Sequence, residues 1–187
     1  IEIDEWPARI AETAMFMVDR QCDLKLQERF GQAPERLPIQ REAKIVVGNA
    51  LRLSWSAIVP PSKEIHVGGN PPFTGARRRT AEQTEDLKLV WGDVPSGDFD
   101  YVTGWHRRAA EFLAERRGSF ALVSTNSICQ GQVVPPVFSW LRDSGWSISF
   151  AHRTFRWTSE APGEAKVHCI IVGLTKDPQA SKRLFRY

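Results

Sequence analysis

The segment Ile65-His66-Val67-Gly68-Gly69-Asn70-Pro71-Pro72-Phe73 combines an apolar run that predicts a strand with a stiff turn that follows it. The two prolines fix two φ angles and remove two backbone N–H donors, and Pro71 also favours an extended conformation at Asn70. The turn therefore offers acceptors, namely backbone carbonyls and the Asn70 side-chain oxygen. An –NH2 group that donates both hydrogens here keeps its lone pair directed at an electrophile, while Phe73 supplies a ring on which a planar base can stack. A Pro-rich surface turn is the plainer alternative.

Strands and helices alternate outward from this turn, which indicates a doubly wound α/β layer with a mostly parallel sheet. The last two strands could pair antiparallel at one edge. Ligands of such sheets bind beyond the carboxyl ends of the strands, where Asp4, Asn49, Asn70, Ser124 and Asn126 fall. The predicted strands are residues 1–4, 44–47, 65–67, 120–124, 146–151 and 166–174. A first helix is predicted to start near Trp6, with Pro7 in the first helical position, and residues 24–42 are predicted to be a polar connection. Further helices are predicted at 82–90, inside a loop at 74–97, and at 98–117 and 135–143.

Composition bounds the function. The chain has 187 residues, of which 42% are hydrophobic and 25% charged, so it is globular with room for one core. The absence of a membrane-length apolar stretch or a signal-peptide pattern predicts a cytoplasmic protein with no membrane partner. Cys22, Cys129 and Cys169 are few and far apart, and the four histidines lack ligand spacing, so neither disulfides nor a metal are expected. The net charge of +3 does not prove a nucleic-acid partner.

Several segments together resemble the amino-methylating DNA methyltransferases that depend on S-adenosylmethionine (SAM). The Asn-Pro-Pro-Phe turn looks like their catalytic motif, although some RNA and protein methyltransferases share it. The wider set is similar to adenine methylases of single-chain type II restriction-modification systems and their phage-exclusion relatives. It implies a Rossmann-like class I methyltransferase fold, with a mostly parallel sheet and an antiparallel edge strand. The segments are Ile1-Glu2-Ile3-Asp4, Gly48-Asn49-Ala50-Leu51, Asn70-Pro71-Pro72-Phe73, Asp98-Phe99-Asp100-Tyr101, Ser124-Thr125-Asn126-Ser127 and His152-Arg153-Thr154-Phe155.

The resemblance assigns catalysis to Asn70, Pro71, Pro72 and Phe73. The amine of adenine is a poor nucleophile because its lone pair is delocalised into the ring. Hydrogen bonds from that amine to the Asn70 oxygen and the Pro71 carbonyl favour a pyramidal nitrogen, so that orientation and charge stabilisation carry the reaction without a metal. A base inside a duplex cannot reach such a site and has to be flipped out. Phe73 then forms one face of the slot for the base.

A second stacking aromatic and a DNA-contacting surface are also implied. Phe155 matches the family's second base-stacking position, with Trp157 the less favoured candidate and a core aromatic the plain alternative. Clustered arginines are candidates for contacts to double-stranded DNA, although such clusters are often only solvated faces. These candidates are Arg77, Arg78, Arg79 and Arg153.

Cofactor binding is assigned to two short segments. Glu2 matches the acidic residue that accepts hydrogen bonds from the ribose hydroxyls, and Ile3 falls where the family packs an apolar side chain against the cofactor's adenine. Asn49, with Ala50, falls where related enzymes accept a hydrogen bond from the exocyclic amine of SAM. The alternatives are a solvated carboxylate for Glu2 and a turn residue for Asn49.

The chain departs from the family in what it lacks. The family's glycine-rich SAM loop would lie just before Ile1, and no target-recognition domain or Asp…Glu-x-Lys nuclease cluster is present in the sequence. Residues 1–187 are therefore interpreted as part of a catalytic domain, incomplete at the N-terminus. Such a fragment is expected to be inactive alone and to bind SAM weakly or not at all. It is expected either to self-associate through exposed sheet edges or to close the sheet out of the family's register.

The functional hypothesis is methyl transfer from SAM to the N6 amine of a flipped adenine in DNA, within a restriction-modification or phage-defence protein. Two alternatives stay open: an RNA or protein amino-methyltransferase that uses the same turn, and a non-catalytic nucleic-acid-binding module. The sequence leaves the role of Asp100 and Tyr101 undecided between capping a helix and facing the site.

Overall fold

A computed structural model describes residues 1–32, 43–60, 64–94, 96–157 and 167–186. The chain forms two compact units, residues 1–54 and 55–187. The helices are α1 (Glu5–Phe30), α2 (Trp55–Ile58), α3 (Ala81–Trp91), α4 (Thr103–Phe112) and α5 (Val134–Asp143); short 3-10 turns cover Ala76–Arg78, Asn126–Cys129 and Gly131–Val133; the strands are β1 (Ile65–Gly69), β2 (Gly118–Thr125), β3 (Ser147–Trp157), β4 (Val167–Thr175) and β5 (Arg183–Phe185).

The first unit is dominated by α1. This helix begins at Glu5, so Pro7 occupies the third helical position rather than the first, and it continues to Phe30, where Gly31 ends it with φ 74°. The predicted polar connection from residue 24 is therefore wrong as far as Phe30, since good helix formers fill this stretch. Residues 33–42 of that connection lie outside the described part. The strands predicted at 1–4 and 44–47 reduce to one parallel bridge between Glu2 and Val47.

The second unit is built on a five-stranded sheet in the order β1-β2-β4-β3-β5. β1 is parallel to β2, β4 is antiparallel to both β2 and β3, and β5 is parallel to β3. Four strands thus share one direction, which confirms the mixed α/β fold with a mostly parallel sheet. The reversed strand does not lie at the edge as predicted. Instead, β3 and β5 lie between the reversed strand β4 and the edge of the sheet. Strand β5 was not predicted, because it consists of only three residues, all of them exposed.

Among the helices, α3 and α5 confirm the predictions closely. Helix α4 starts five residues later than the predicted Asp98, because the preceding residues form turns whose polar groups have other partners. The Tyr101 N–H donates to the Thr74 carbonyl, and the Val102 N–H approaches the Asp100 side chain at 3.4 Å. The acidic segment therefore precedes α4 instead of forming its first turn.

The core of the second unit lies between β2 and β4 and the helices α3 to α5. Alternate residues of β2, including Phe120 and Leu122, are buried, and Val102, Leu113 and Leu141 of the neighbouring helical segments are at most 1% exposed. The Phe150 ring covers Gly173 on the adjacent strand so closely that a Cβ there would lie 2.2 Å from the ring. Gly173 therefore leaves room for the Phe150 ring of the neighbouring strand.

Candidate active site

The Asn-Pro-Pro-Phe turn leaves the carboxyl end of β1 directly after Gly69. Pro71 is buried, Asn70 and Pro72 are exposed, and Phe73 is half-buried. The buried proline anchors the turn and the exposed Asn70 remains accessible to a ligand. Because neither proline has an N–H group, the backbone at Pro71 and Pro72 presents carbonyl acceptors only.

The segment after Phe73 is fixed by Tyr101, which precedes α4. Its N–H donates to the carbonyl of Thr74 at 2.9 Å. Its hydroxyl donates to Asp86 Oδ2 of α3 at 2.6 Å, and both of these side chains are buried. Tyr101 therefore joins the residue after the turn to α3, because it donates one hydrogen bond to each.

The neighbouring residue, Asp100, gathers the end of β2. Its carboxylate is 5% exposed, and its Oδ2 accepts from the hydroxyls of Thr125 at 2.6 Å and Ser127 at 3.3 Å. The two hydroxyls also lie 2.6 Å apart. We call Asp100, Thr125 and Ser127 the Asp100 clasp. Because Asp100 precedes Tyr101, the clasp ties the end of β2 to the residue that holds the Asn-Pro-Pro-Phe turn.

Phe155 lies at the same edge of the sheet, near the carboxyl end of β3. Since β1, β2 and β3 run in one direction, the ends of all three strands meet there. The β1 and β3 axes are three strand spacings apart, about 14 Å. Between His152 and Phe155 the pairing with β4 slips by one residue, which forms a bulge at Arg153-Thr154; such bulges redirect side chains. Phe155 is half-buried, and its ring centroid lies 6.4 Å from that of Trp157.

The three consecutive arginines differ in their surroundings. Arg77 and Arg78 are exposed. Arg79 donates to the carbonyls of Ser96 at 3.3 Å and Gly97 at 2.6 Å. Burial lowers the Arg79 pKa, and the carboxylates of Asp100 and Asp98 oppose this shift. Arg79 thus braces the segment before Asp100, whereas Arg77, Arg78 and the exposed Arg153 present their charge to solvent.

The predicted cofactor residues lie in the first unit. The Glu2 N–H donates to the Val46 carbonyl at 3.0 Å, and the Gly48 N–H donates to the Glu2 carbonyl at 2.7 Å. This bridge brings the half-buried Glu2 beside the Asn49-Ala50 segment. Asn49 Oδ1 accepts from the Leu51 N–H at 2.9 Å, as its turn alternative predicts. Ile3 is 60% exposed.

Two polar side chains are buried near the clasp. His106 on α4 is 1% exposed, and burial lowers its pKa to about 4, so the ring is neutral at pH 7. Ser124 on β2 is fully buried, and its hydroxyl has no hydrogen-bond partner among the described residues. Within those residues, His, Cys, Asp and Glu side chains nowhere form a group of three that could hold a metal. No described helix is both long and apolar enough to span a membrane.

The fold and the position of the turn define the class as a Rossmann-like methyltransferase. Residues 1–186 match the family described as "MmeI, DNA-methyltransferase domain". The chain belongs to this family of restriction-modification DNA methyltransferases.

Two relatives agree with this assignment. The chain is 30% identical over 190 residues to "DNA methyltransferase A" of Bacillus subtilis (strain 168). The matched region covers 99% of this chain and 22% of that protein. It is 37% identical, with a TM-score of 0.88, to the solved structure of the type IIL restriction-modification enzyme MmeI in complex with DNA, over 99% of this chain and 25% of that one. The chain thus spans about a quarter of the length of these proteins.

Sequence reasoning missed the Asp100 clasp. Its members are separated by 25 and 27 residues along the chain, so no local spacing could reveal it. The available signals were an acidic residue before a helix and hydroxyl residues after the next strand. Neither signal indicates that the two would meet.

Proposed function

We propose that this chain carries the catalytic part of an adenine-N6 methyltransferase that transfers a methyl group from SAM to a flipped adenine in DNA. The observation that carries the proposal is the Asn-Pro-Pro-Phe turn at the carboxyl end of β1, with Asn70 exposed and Pro71 buried. A turn in which two prolines carry no N–H suits a substrate that must donate two hydrogens from one nitrogen. Membership in a DNA-methyltransferase family supports DNA as the substrate.

In this proposal the chain's own residues act by orienting the amine. Asn70 Oδ1 and the Pro71 carbonyl accept its two hydrogens, which withdraws the lone pair from the ring and stabilises positive charge as it develops on nitrogen. Phe73 and Phe155 stack on the base after it leaves the duplex. The hydrogen bond from Tyr101 to Thr74 keeps the turn in place during methyl transfer, which is the positioning that such catalysis requires.

Glu2, Ile3, Asn49 and Ala50 would hold SAM, which supplies an electrophilic methyl group when bound. The half-buried Glu2 carboxylate has the chemistry to accept from ribose hydroxyls. The side-chain oxygen of Asn49 is the kind of acceptor that suits an exocyclic amine. The residues present therefore fit the adenosine portion of the cofactor.

Double-stranded DNA is the proposed partner. The exposed Arg77, Arg78 and Arg153 have the charge and the solvent access needed to pair with phosphates, which supports the proposal. We assign Arg79 a supporting role because its guanidinium already donates to backbone carbonyls. We place the parent protein in restriction-modification or phage defence, in the cytoplasm.

The experiment is to incubate the complete natural protein that carries this sequence with methyl-labelled SAM and, separately, with DNA, RNA and a protein mixture. Labelled DNA is digested to nucleosides and analysed by mass spectrometry. We expect N6-methyladenine in DNA. Label in cytosine, in RNA or in protein would contradict the proposal, and each outcome names a different substrate.

A further inference from the structure

The Asp100 clasp holds two residues, Thr125 and Ser127, that flank Asn126 at the end of β2. Asn126 begins the 3-10 turn Asn126–Cys129. The clasp consumes both flanking hydroxyls, but the Asn126 amide has no hydrogen-bond partner in the described part of the chain. Because both of its neighbours are held, the half-buried Asn126 has little backbone freedom. Its side-chain amide keeps its full capacity to donate and accept hydrogen bonds.

The direction of the Asn126 side chain follows from the turn. A 3-10 helix has three residues per turn, so side chains at positions i and i+3 lie on one face. Ser127 is directed at Asp100, and Ile128 is fully buried in the core. The third face of the 3-10 turn is formed by Asn126 and Cys129, and Cys129 is exposed. Asn126 therefore faces outward at the carboxyl edge of the sheet.

That edge is also where Asn70 lies, on the adjacent parallel strand. Gly69 of β1 is level with Leu122 of β2, so Asn126 extends beyond the level at which the Asn-Pro-Pro-Phe turn begins. Phe155 lies two strands further along the same edge. Asn126 is thus between the turn that is proposed to bind the target amine and the aromatic that is proposed to stack on the base.

We propose that Asn126 is a further substrate contact, whose side-chain amide donates a hydrogen bond to a ring nitrogen of the target base, and that Asp100 is the positioning residue that fixes it. This inference rests on the proposed function. The adenine amine is committed to Asn70 and Pro71, so the acceptors left beside that amine are the ring nitrogens N1 and N7, while N3 lies on the opposite edge of the base. Asparagine can reach either through its –NH2 group.

The test compares duplexes that carry adenine, 7-deazaadenine or 1-deazaadenine at the methylated position, because each analogue removes one acceptor. We expect the wild-type complete protein to methylate one analogue about tenfold more slowly than adenine, the usual worth of one hydrogen bond. Asn126→Ala should methylate adenine about tenfold more slowly and lose this discrimination. Cys129→Ala changes the same face and should keep it.

Asp100→Asn provides the second arm. It replaces one acceptor oxygen of Asp100 with an –NH2 donor, which weakens the hydrogen bonds from the Thr125 and Ser127 hydroxyls. Asn126 itself is unchanged. We expect reduced discrimination between adenine and the same analogue, with KM for SAM unchanged. The inference is overturned if wild type tolerates both analogues, or if Asn126→Ala discriminates as strongly as wild type. Failure of wild type to methylate adenine at all would instead refute the proposed function.

Discussion

The backbone N–H of Tyr101 donates to the carbonyl of Thr74 at 2.9 Å, which joins the segment before α4 to the residue that follows the Asn-Pro-Pro-Phe turn. The Tyr101 hydroxyl also bonds Asp86 on α3. One residue thereby connects the turn after β1 with two helical segments that are distant in sequence. The geometry of the turn consequently depends on groups that do not belong to the motif.

Removing the Tyr101 hydroxyl should weaken this connection. Tyr101→Phe loses a buried hydrogen bond to a carboxylate, so we expect the free energy of unfolding to fall by about 1.5 to 3 kcal/mol. Urea unfolding measures the change, and an unaltered m-value shows that the effect is on stability rather than on the unfolded state. Equal stability of the variant and the wild type would mean that the 2.6 Å contact contributes nothing.

His106 should make stability pH-dependent on the acid side. Burial lowers its pKa in the folded chain to about 4, against 6.5 for a free imidazole. As pH falls below 6.5 the unfolded chain binds a proton that the folded chain does not, so stability falls until about pH 4, by about 3 kcal/mol in all. The slope approaches about 1.4 kcal/mol per pH unit.

The check is His106→Phe, an apolar replacement of similar size in a fully buried position. Stability is measured by urea unfolding at pH 8, 6.5, 5.5 and 5. The variant should show a flatter profile between pH 6.5 and 5 than the wild type, whatever its stability at pH 8. Identical profiles would show that His106 is protonated as easily in the fold as in water.

The arginine cluster should separate into two functions. Arg77→Ala and Arg78→Ala should each weaken DNA binding and lower the slope of log K against log salt by about 0.9 per lost phosphate contact. Arg79→Ala should leave that slope unchanged and lower the free energy of unfolding by about 1 to 2 kcal/mol, because the Ser96 and Gly97 carbonyls lose their donor. Binding isotherms at several salt concentrations distinguish them. A changed slope for Arg79→Ala alone would reverse the assignment.

Phe155 should contribute to capture of the flipped base. Phe155→Ala should weaken this step by about 1 to 3 kcal/mol, the usual worth of a stacking aromatic. The defect should shrink on a duplex with a mismatch at the target base, because that base is easier to extrude. A defect of the same size on both duplexes would identify Phe155 as a packing residue of β3.

The sequence predicted elements well where local chemistry decides them. Val134–Asp143 follows the Pro135-Pro136 signal for a helix start, and Gly118–Thr125 follows an apolar run of strand-forming residues. It failed at Asp98–Val102, where the apolar stripe continues the helical spacing but the polar groups bond to Thr74 and Asp100 instead. Long-range partners override local periodicity there.

The candidate site divides in the same way. The acceptor character of Asn70-Pro71-Pro72-Phe73 is a property of the residues themselves and could be predicted. The Asp100 clasp and the position of Phe155 depend on strand order and on the bulge in β3. Strand order results from packing between distant segments, which spacing along the chain does not encode.

The most direct test of the central claim is methyl transfer by Asn70→Ala in the complete natural protein. Asn70 is assigned to the target amine, so the variant should bind SAM within a few-fold of wild type, measured by calorimetry. It should lose about 3 to 4 kcal/mol of transition-state stabilisation, a fall of about two to three orders of magnitude in the rate of N6-methyladenine formation. Turnover close to wild type with SAM binding intact would contradict the account.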